Sequence, residues 1–162
     1  MGRMKQLLEK TREYPNRGFE WYYWQREAHC DLRTLRGHTG LVWSAAFSPD
    51  SKRIVTGSED TTAKVWDALS GQEMLTLRGH TNSVLFAAFS PDGKRIVTAS
   101  VDMTARVWDA LTGSELLTLK GHSNRLVSAS FSADGRRIVT GSYDGTTRVW
   151  DSESDRELLN LQ

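Results

Sequence analysis

The spacing of apolar positions changes near residue 31. Before that point Met4, Leu7 and Leu8 stand at helical spacing in a charged background, which predicts a short amphipathic helix ended near Pro15. Beyond it, short runs rich in apolar and β-branched residues alternate with Gly, Asp, Ser and Pro, a pattern of strands and tight turns. In the best-formed stretch the predicted strands run from Val84 to Phe89, 95 to 100, 105 to 108 and 115 to 119. The turn Ser90-Pro91-Asp92-Gly93 joins the first two, with Pro presetting φ and Gly accepting a positive one.

That stretch opens with Gly79-His80 and closes with Trp108-Asp109. It recurs 42 residues earlier, between Gly37-His38 and Trp66-Asp67, and 42 residues later, between Gly121-His122 and Trp150-Asp151. Phe47, Phe89 and Phe131 keep the phase, as do Asp60, Asp102 and Asp144. A strict period with a Gly-His to Trp-Asp signature resembles the WD40 repeat family, over roughly residues 31 to 162. The resemblance implies an all-β fold of WD40 β-propeller blades, three in number, each a four-stranded antiparallel sheet. They are expected at about 41 to 77, 83 to 119 and 125 to 161, with an orphan outer strand at 31 to 35.

Residues 1 to 30 form an extension that the repeat does not explain. Its aromatic segment Phe19-Glu20-Trp21-Tyr22-Tyr23-Trp24 has two readings. Trp24 precedes Trp66 by one period, as in a decayed half blade, but Gln25 replaces the Asp of the Trp-Asp pair and Gly18 stands where the repeat has Asp60. Phe19, Tyr22 and Tyr23 also share one helical face, and the helix is favoured. A contiguous aromatic surface of this kind needs cover.

Propellers hold about four to eight blades, so three cannot close a ring and two apolar end faces are left in water. Completion by a second chain, a homodimer of six blades in which the orphan strand pairs with the partner's edge, is one expectation. The other is that the chain is a piece of a larger protein. Its near-identical repeats behind an aromatic segment look similar to bacterial WD40 regions that follow Ser/Thr kinase or signalling domains. No glycine-rich loop or catalytic-loop motif of a kinase stands in the chain itself.

Charge changes little, because 21 Lys and Arg stand against 20 Asp and Glu, which gives no case for a nucleic-acid or membrane-surface partner. The single cysteine, Cys30, excludes an intrachain disulfide and fits a reducing compartment. With no apolar run of membrane-spanning length and a polar amino terminus, the expected setting is the cytoplasm.

Each repeat carries a His, an Asp and hydroxyls in the pattern of a catalytic triad: His38, Asp60 and Thr56 or Ser58; His80, Asp102, Thr98 and Ser100; His122, Asp144, Thr140 and Ser142. Three copies, each phased to a tryptophan, argue for structure instead of catalysis, and the chain is read as having no enzymatic activity. The resemblance implies a buried hydrogen-bond chain running from Asp through His and Ser or Thr to Trp66, Trp108 and Trp150. The Gly-His histidines fall on different blades and His29 is alone, so no metal or cofactor is expected. The basic pairs Lys52-Arg53, Lys94-Arg95 and Arg136-Arg137 interleave with Asp50, Asp92 and Asp134, which reads as a solvated turn face.

Function is expected where the repeats differ. The first strands begin with Leu41, Val42 and Trp43, with Ser83, Val84 and Leu85, and with Arg125, Leu126 and Val127. The repeated Asp is preceded by Glu59, Val101 and Tyr143. By the resemblance these positions rim a channel mouth that takes protein or peptide ligands, and Trp, Arg and Tyr are the residues that anchor interfaces.

Overall fold

The computed structural model of the protein describes residues 34–162. The helix expected before Pro15 and the aromatic segment at 19 to 24 lie outside the described residues. So does most of the outer strand expected at 31 to 35, and Thr34 and Leu35 belong to no strand.

The described chain is all β, with no helix. The first sheet comprises β1 (Val42–Phe47), β2 (Arg53–Ser58), β3 (Ala63–Asp67) and β4 (Glu73–Leu77). The second holds β5 (Val84–Phe89), β6 (Arg95–Ser100), β7 (Thr104–Asp109) and β8 (Glu115–Lys120). The third holds β9 (Leu126–Phe131), β10 (Arg137–Ser142), β11 (Thr147–Asp151) and β12 (Glu157–Leu161). Each is an antiparallel meander with its strands in chain order.

Local chemistry sets the turns. In each turn after a first strand, Ser48, Ser90 or Ser132 donates its hydroxyl to Asp50, Asp92 or Asp134 at 2.6 Å and accepts the backbone N–H of Arg53, Arg95 or Arg137. The left-handed corner falls on Gly93 (φ 68°), Gly135 (φ 70°) and, in the first sheet, Ser51 (φ 58°). The Asp of each Trp-Asp pair caps the third turn; Asp109 Oδ1 accepts the N–H groups of Leu111 at 2.9 Å and Thr112 at 2.7 Å.

The sheets stack in chain order, with β1 beside β5 and β5 beside β9. Because side chains alternate across a strand, the middle sheet feeds two cores. Ile96 and Trp108 join Val55, Val65 and Leu77 of the first sheet, while Val97, Val107 and Leu119 join Leu126, Ile138 and Trp150 of the third.

The reading of the basic turns as solvated is corrected for two arginines. Arg53 donates to the carbonyls of Ala110 (2.8 Å) and Gly93 (2.7 Å) on the next sheet, with its guanidinium over the Phe89 ring. Arg95 repeats this one sheet on, to Ser152 O and Gly135 O, both at 2.8 Å, and over Phe131. The planar five-donor fork reaches two carbonyls while stacking on a ring, which a lysine head cannot do. Lys52, Lys94, Arg136 and Arg137 are exposed.

Candidate functional site

Two constellations recur in every sheet, one inside it and one at its edge. Inside, Trp66 Nε1 donates to Thr56 Oγ1 at 2.8 Å, His38 Nε2 lies 2.7 Å from that hydroxyl, and His38 Nδ1 lies 2.8 Å from Asp60 Oδ2. Trp108, Thr98, His80 and Asp102 repeat the chain at 2.9, 2.8 and 2.8 Å, and Trp150, Thr140, His122 and Asp144 at 2.8, 2.9 and 2.8 Å. One proton arrangement satisfies every member: Trp donates to Thr, Thr donates to a neutral His, and the His Nδ1–H donates to the carboxylate.

The structure therefore chooses between the hydroxyls that the sequence leaves open. Thr56, Thr98 and Thr140 hold the chain, whereas Ser58, Ser100 and Ser142 accept the backbone N–H of Asp60, Asp102 and Asp144 at 3.2, 3.1 and 3.1 Å. A threonine that accepts a tryptophan N–H from within the core is a poor nucleophile. Thr98 and Thr140 are fully buried, so no substrate carbonyl reaches them.

Burial pushes the Asp60, Asp102 and Asp144 carboxyls up. Hydrogen bonds from Thr62, Thr104 and Thr146, from the histidines, and from the backbone of Thr39, Thr81 and Ser123 outweigh it, holding all three well below the ordinary carboxylate range. The glycine of each Gly-His pair is needed for close approach. A Cβ at Gly79 would sit 3.1 Å from the rim of Trp108 and 2.8 Å from Arg106, and one at Gly121 would sit 2.6 Å from Arg148. These arginines, with Lys64, pair with Glu115, Glu157 and Glu73, and Lys64 Nζ lies 6.0 Å from the centre of the Trp66 ring. Sequence reasoning passed over that repeated ion pair; its signal is a cation two residues before each Trp and a Glu seven after it.

At the edge, the two sets of variable positions come together pairwise. The N–H groups of Glu59, Val101 and Tyr143 donate to the carbonyls of Leu41, Ser83 and Arg125 at 2.8, 3.0 and 3.0 Å. Trp43, Leu85 and Val127 are each the extra residue of a β-bulge, for the register steps from Val42 to Ser44, Val84 to Phe86 and Leu126 to Ser128. A bulge turns a side chain out of the alternation of its strand. Leu41, Trp43 and Tyr143 are exposed, and the Arg125 guanidinium lies 3.9 Å from the centre of the Tyr143 ring. Asn82 and Asn124, also unremarked in the sequence, cap the N–H groups of Ser83 and Arg125 at 2.8 Å each. Gly40 stands in their place in the first repeat, and there the Glu59 carboxylate lies 3.4 Å from Leu41 N.

Among the described residues no group of three or more His, Cys, Asp or Glu is arranged to hold a metal ion, and no helix is long and apolar enough to cross a membrane.

Comparison with known proteins places these features in a family. Serine-threonine kinase receptor-associated protein of Bos taurus is 46% identical over 43 residues, 26% of this chain and 12% of that protein. Vegetative incompatibility protein HET-E-1 of Podospora anserina is 47% identical over 47 residues, 29% of this chain and 4% of that protein. Periodic tryptophan protein 2 of Saccharomyces cerevisiae is 46% identical over 50 residues, 31% of this chain and 5% of that protein. Each match spans little more than one repeat, and the chain covers a small part of the length of these relatives. The WD40 family, described as WD domain, G-beta repeat, matches at 30–67, 71–109 and 113–151, most of the chain. Each full match runs from the outer strand of one sheet through three strands of the next and stops at the Asp of Trp-Asp. With the Gly-His to Trp-Asp hydrogen-bond chain present in all three sheets, this chain belongs to the WD40 repeat family.

Proposed function

We propose that the three blades form a non-catalytic protein-binding scaffold whose variable rim holds a protein or peptide segment, and that a second chain completes the ring to six blades. The bulge carries this reading, since it takes one residue of each first strand out of the repeated packing just where the repeats differ in chemistry. Leu41 and Trp43 supply apolar anchors, Glu59 an acceptor, and Arg125 stacked on Tyr143 a cation held in place. Ser83, Leu85, Val101 and Val127 fill the edge between them. A net charge of +1 supports neither a nucleic acid nor a membrane as the ligand. The setting proposed for it is the cytoplasm, a reducing compartment that the single cysteine fits.

Panning a peptide library against the wild type and against Trp43→Ala and Tyr143→Ala tests the rim. Each truncation is expected to weaken the selected peptides by roughly tenfold or more, the loss typical of an aromatic anchor. Equal selection by the variants, or none by the wild type, sinks the assignment.

A second reading is that these blades serve within a longer signalling protein, such as a bacterial Ser/Thr kinase followed by WD40 repeats. The small share of each relative that the chain covers favours it. Light scattering separates the two: the scaffold of two chains has a mass near twice 18.3 kDa that persists on dilution, the isolated segment has the mass of one.

A further inference from the structure

We propose that the second copy docks head to tail, its first blade on the open face of this chain's third blade, through the joint already used twice inside the chain. This rests on the self-association reading above and specifies its contacts. Each internal joint has a donor half, Arg53 or Arg95, and a receiving half. The latter comprises the ring of Phe89 or Phe131, the carbonyl at the left-handed corner Gly93 or Gly135, and the carbonyl of Ala110 or Ser152.

Among the described residues one copy of each half is left over. Arg137 is the donor half of the third blade; its side chain is 58% exposed and lies 3.9 Å from Asp134 on its own turn. The first blade holds the receiving half. Phe47 is 63% exposed, and Ser51 has the same left-handed φ as Gly93 and Gly135. The carbonyl of Ala68 belongs to the same corner, since Ala68 N donates to Lys52 O at 2.8 Å as Ala110 N does to Lys94 O at 2.9 Å.

The apolar surfaces match in the same way. Val97 and Leu119 are 0% and 2% exposed inside a joint, whereas their third-blade equivalents Val139 and Leu161 are 40% and 53% exposed. Val84 and Leu126 are 0% and 1% exposed, whereas their first-blade equivalent Val42 is 52% exposed. Each of these three exposed residues, Val139, Leu161 and Val42, has a homologue that is buried inside a joint. The cover that fits the third blade is therefore a first blade of this sequence. Two copies use both leftover halves and leave none, a closed cyclic arrangement.

The test is the solution mass of the full chain across a dilution series, for the wild type, Arg137→Ala, Phe47→Glu and the exposed-turn control Lys94→Ala. The wild type and the control are expected near twice 18.3 kDa. Arg137→Ala is expected to dissociate at concentrations about tenfold or more higher, as for loss of hydrogen bonds to a charged donor, with its melting below the dissociation point unchanged. An equimolar mixture of Arg137→Ala and Phe47→Glu retains one intact joint and is expected to associate more tightly than either variant alone. If the wild type is dimeric but Arg137→Ala dissociates no more readily, or the mixture gains nothing, the joint is wrong while self-association stands. A wild-type mass of one chain, or of three or more, overturns the two-chain ring and the joint with it.

Discussion

Trp108→Ala is expected to destabilise the protein by about 3–5 kcal/mol, the range for truncating a large buried aromatic. Trp108 is 1% exposed and packs in the core between the first two blades. It meets the His80 ring edge-on at a centroid distance of 6.1 Å and donates to Thr98 at 2.9 Å. The substitution leaves a cavity lined by strands of two sheets that cannot both move inward, and it removes a donor from the buried network. Domains have only about 5–15 kcal/mol to lose, so a large fraction of the chain should unfold at moderate urea. Leu69→Ala, at an equally apolar but 84% exposed position, is the control and should change stability by less than about 0.5 kcal/mol. Urea midpoints that differ little between the two variants would remove the network core from its structural role.

Asp102→Ala is the second large effect, at roughly 1–3 kcal/mol. Asp102 accepts from His80 Nδ1 at 2.8 Å, from Thr81 N at 3.1 Å, and from the N–H and hydroxyl of Thr104 at 3.0 and 2.7 Å. Alanine takes the acceptor from all four donors, and the contact left between two of them, Thr104 Oγ1 and His80 Nδ1, is a long one at 3.4 Å. The same bonds fix the sign of a pH dependence. They hold the folded carboxyl below its ordinary value of 3.8, so the folded state binds fewer protons than the unfolded one in acid. Stability from this group is fully present above about pH 4 and is lost as the pH falls further, toward the depressed folded value. Thermal melting of the wild type should decline on the acid side of pH 4, and the Asp102→Ala protein should show a shallower decline, because one of its three such carboxylates is gone. Parallel acid limbs would contradict the network's energetics.

Much of this fold was legible because it repeats. A period of 42 residues with invariant phase for Phe, Asp and Trp leaves few alternatives, and alternation with turn residues located each strand of the second blade to within a residue. The polar chain was legible as a set of residue types, but not the hydroxyl that completes it. Thr98 and Ser100 stand two apart on one strand, hence on one face, and only the position of the Trp108 N–H separates them. The positions 41, 83 and 125 were legible as places where the repeats differ, whereas the bulge beside them was not, since an extra residue in a pairing register leaves no mark in composition.

By itself the sequence determined what each repeat is: its strands, its corners, and the Trp, His and Asp of the polar chain. Those are local, set by neighbours within one repeat length, and they come out alike in three copies. Tertiary structure alone decided what identical residues do. Arg53, Arg95 and Arg137 occupy one sequence position, yet two bridge to the carbonyls and ring of a following blade and the third is exposed. Val84 and Val42 occupy another, one at 0% and one at 52% exposure. The cause is burial between sheets, a property of the neighbour that stacks on a residue, and no repeat carries that information within its own sequence.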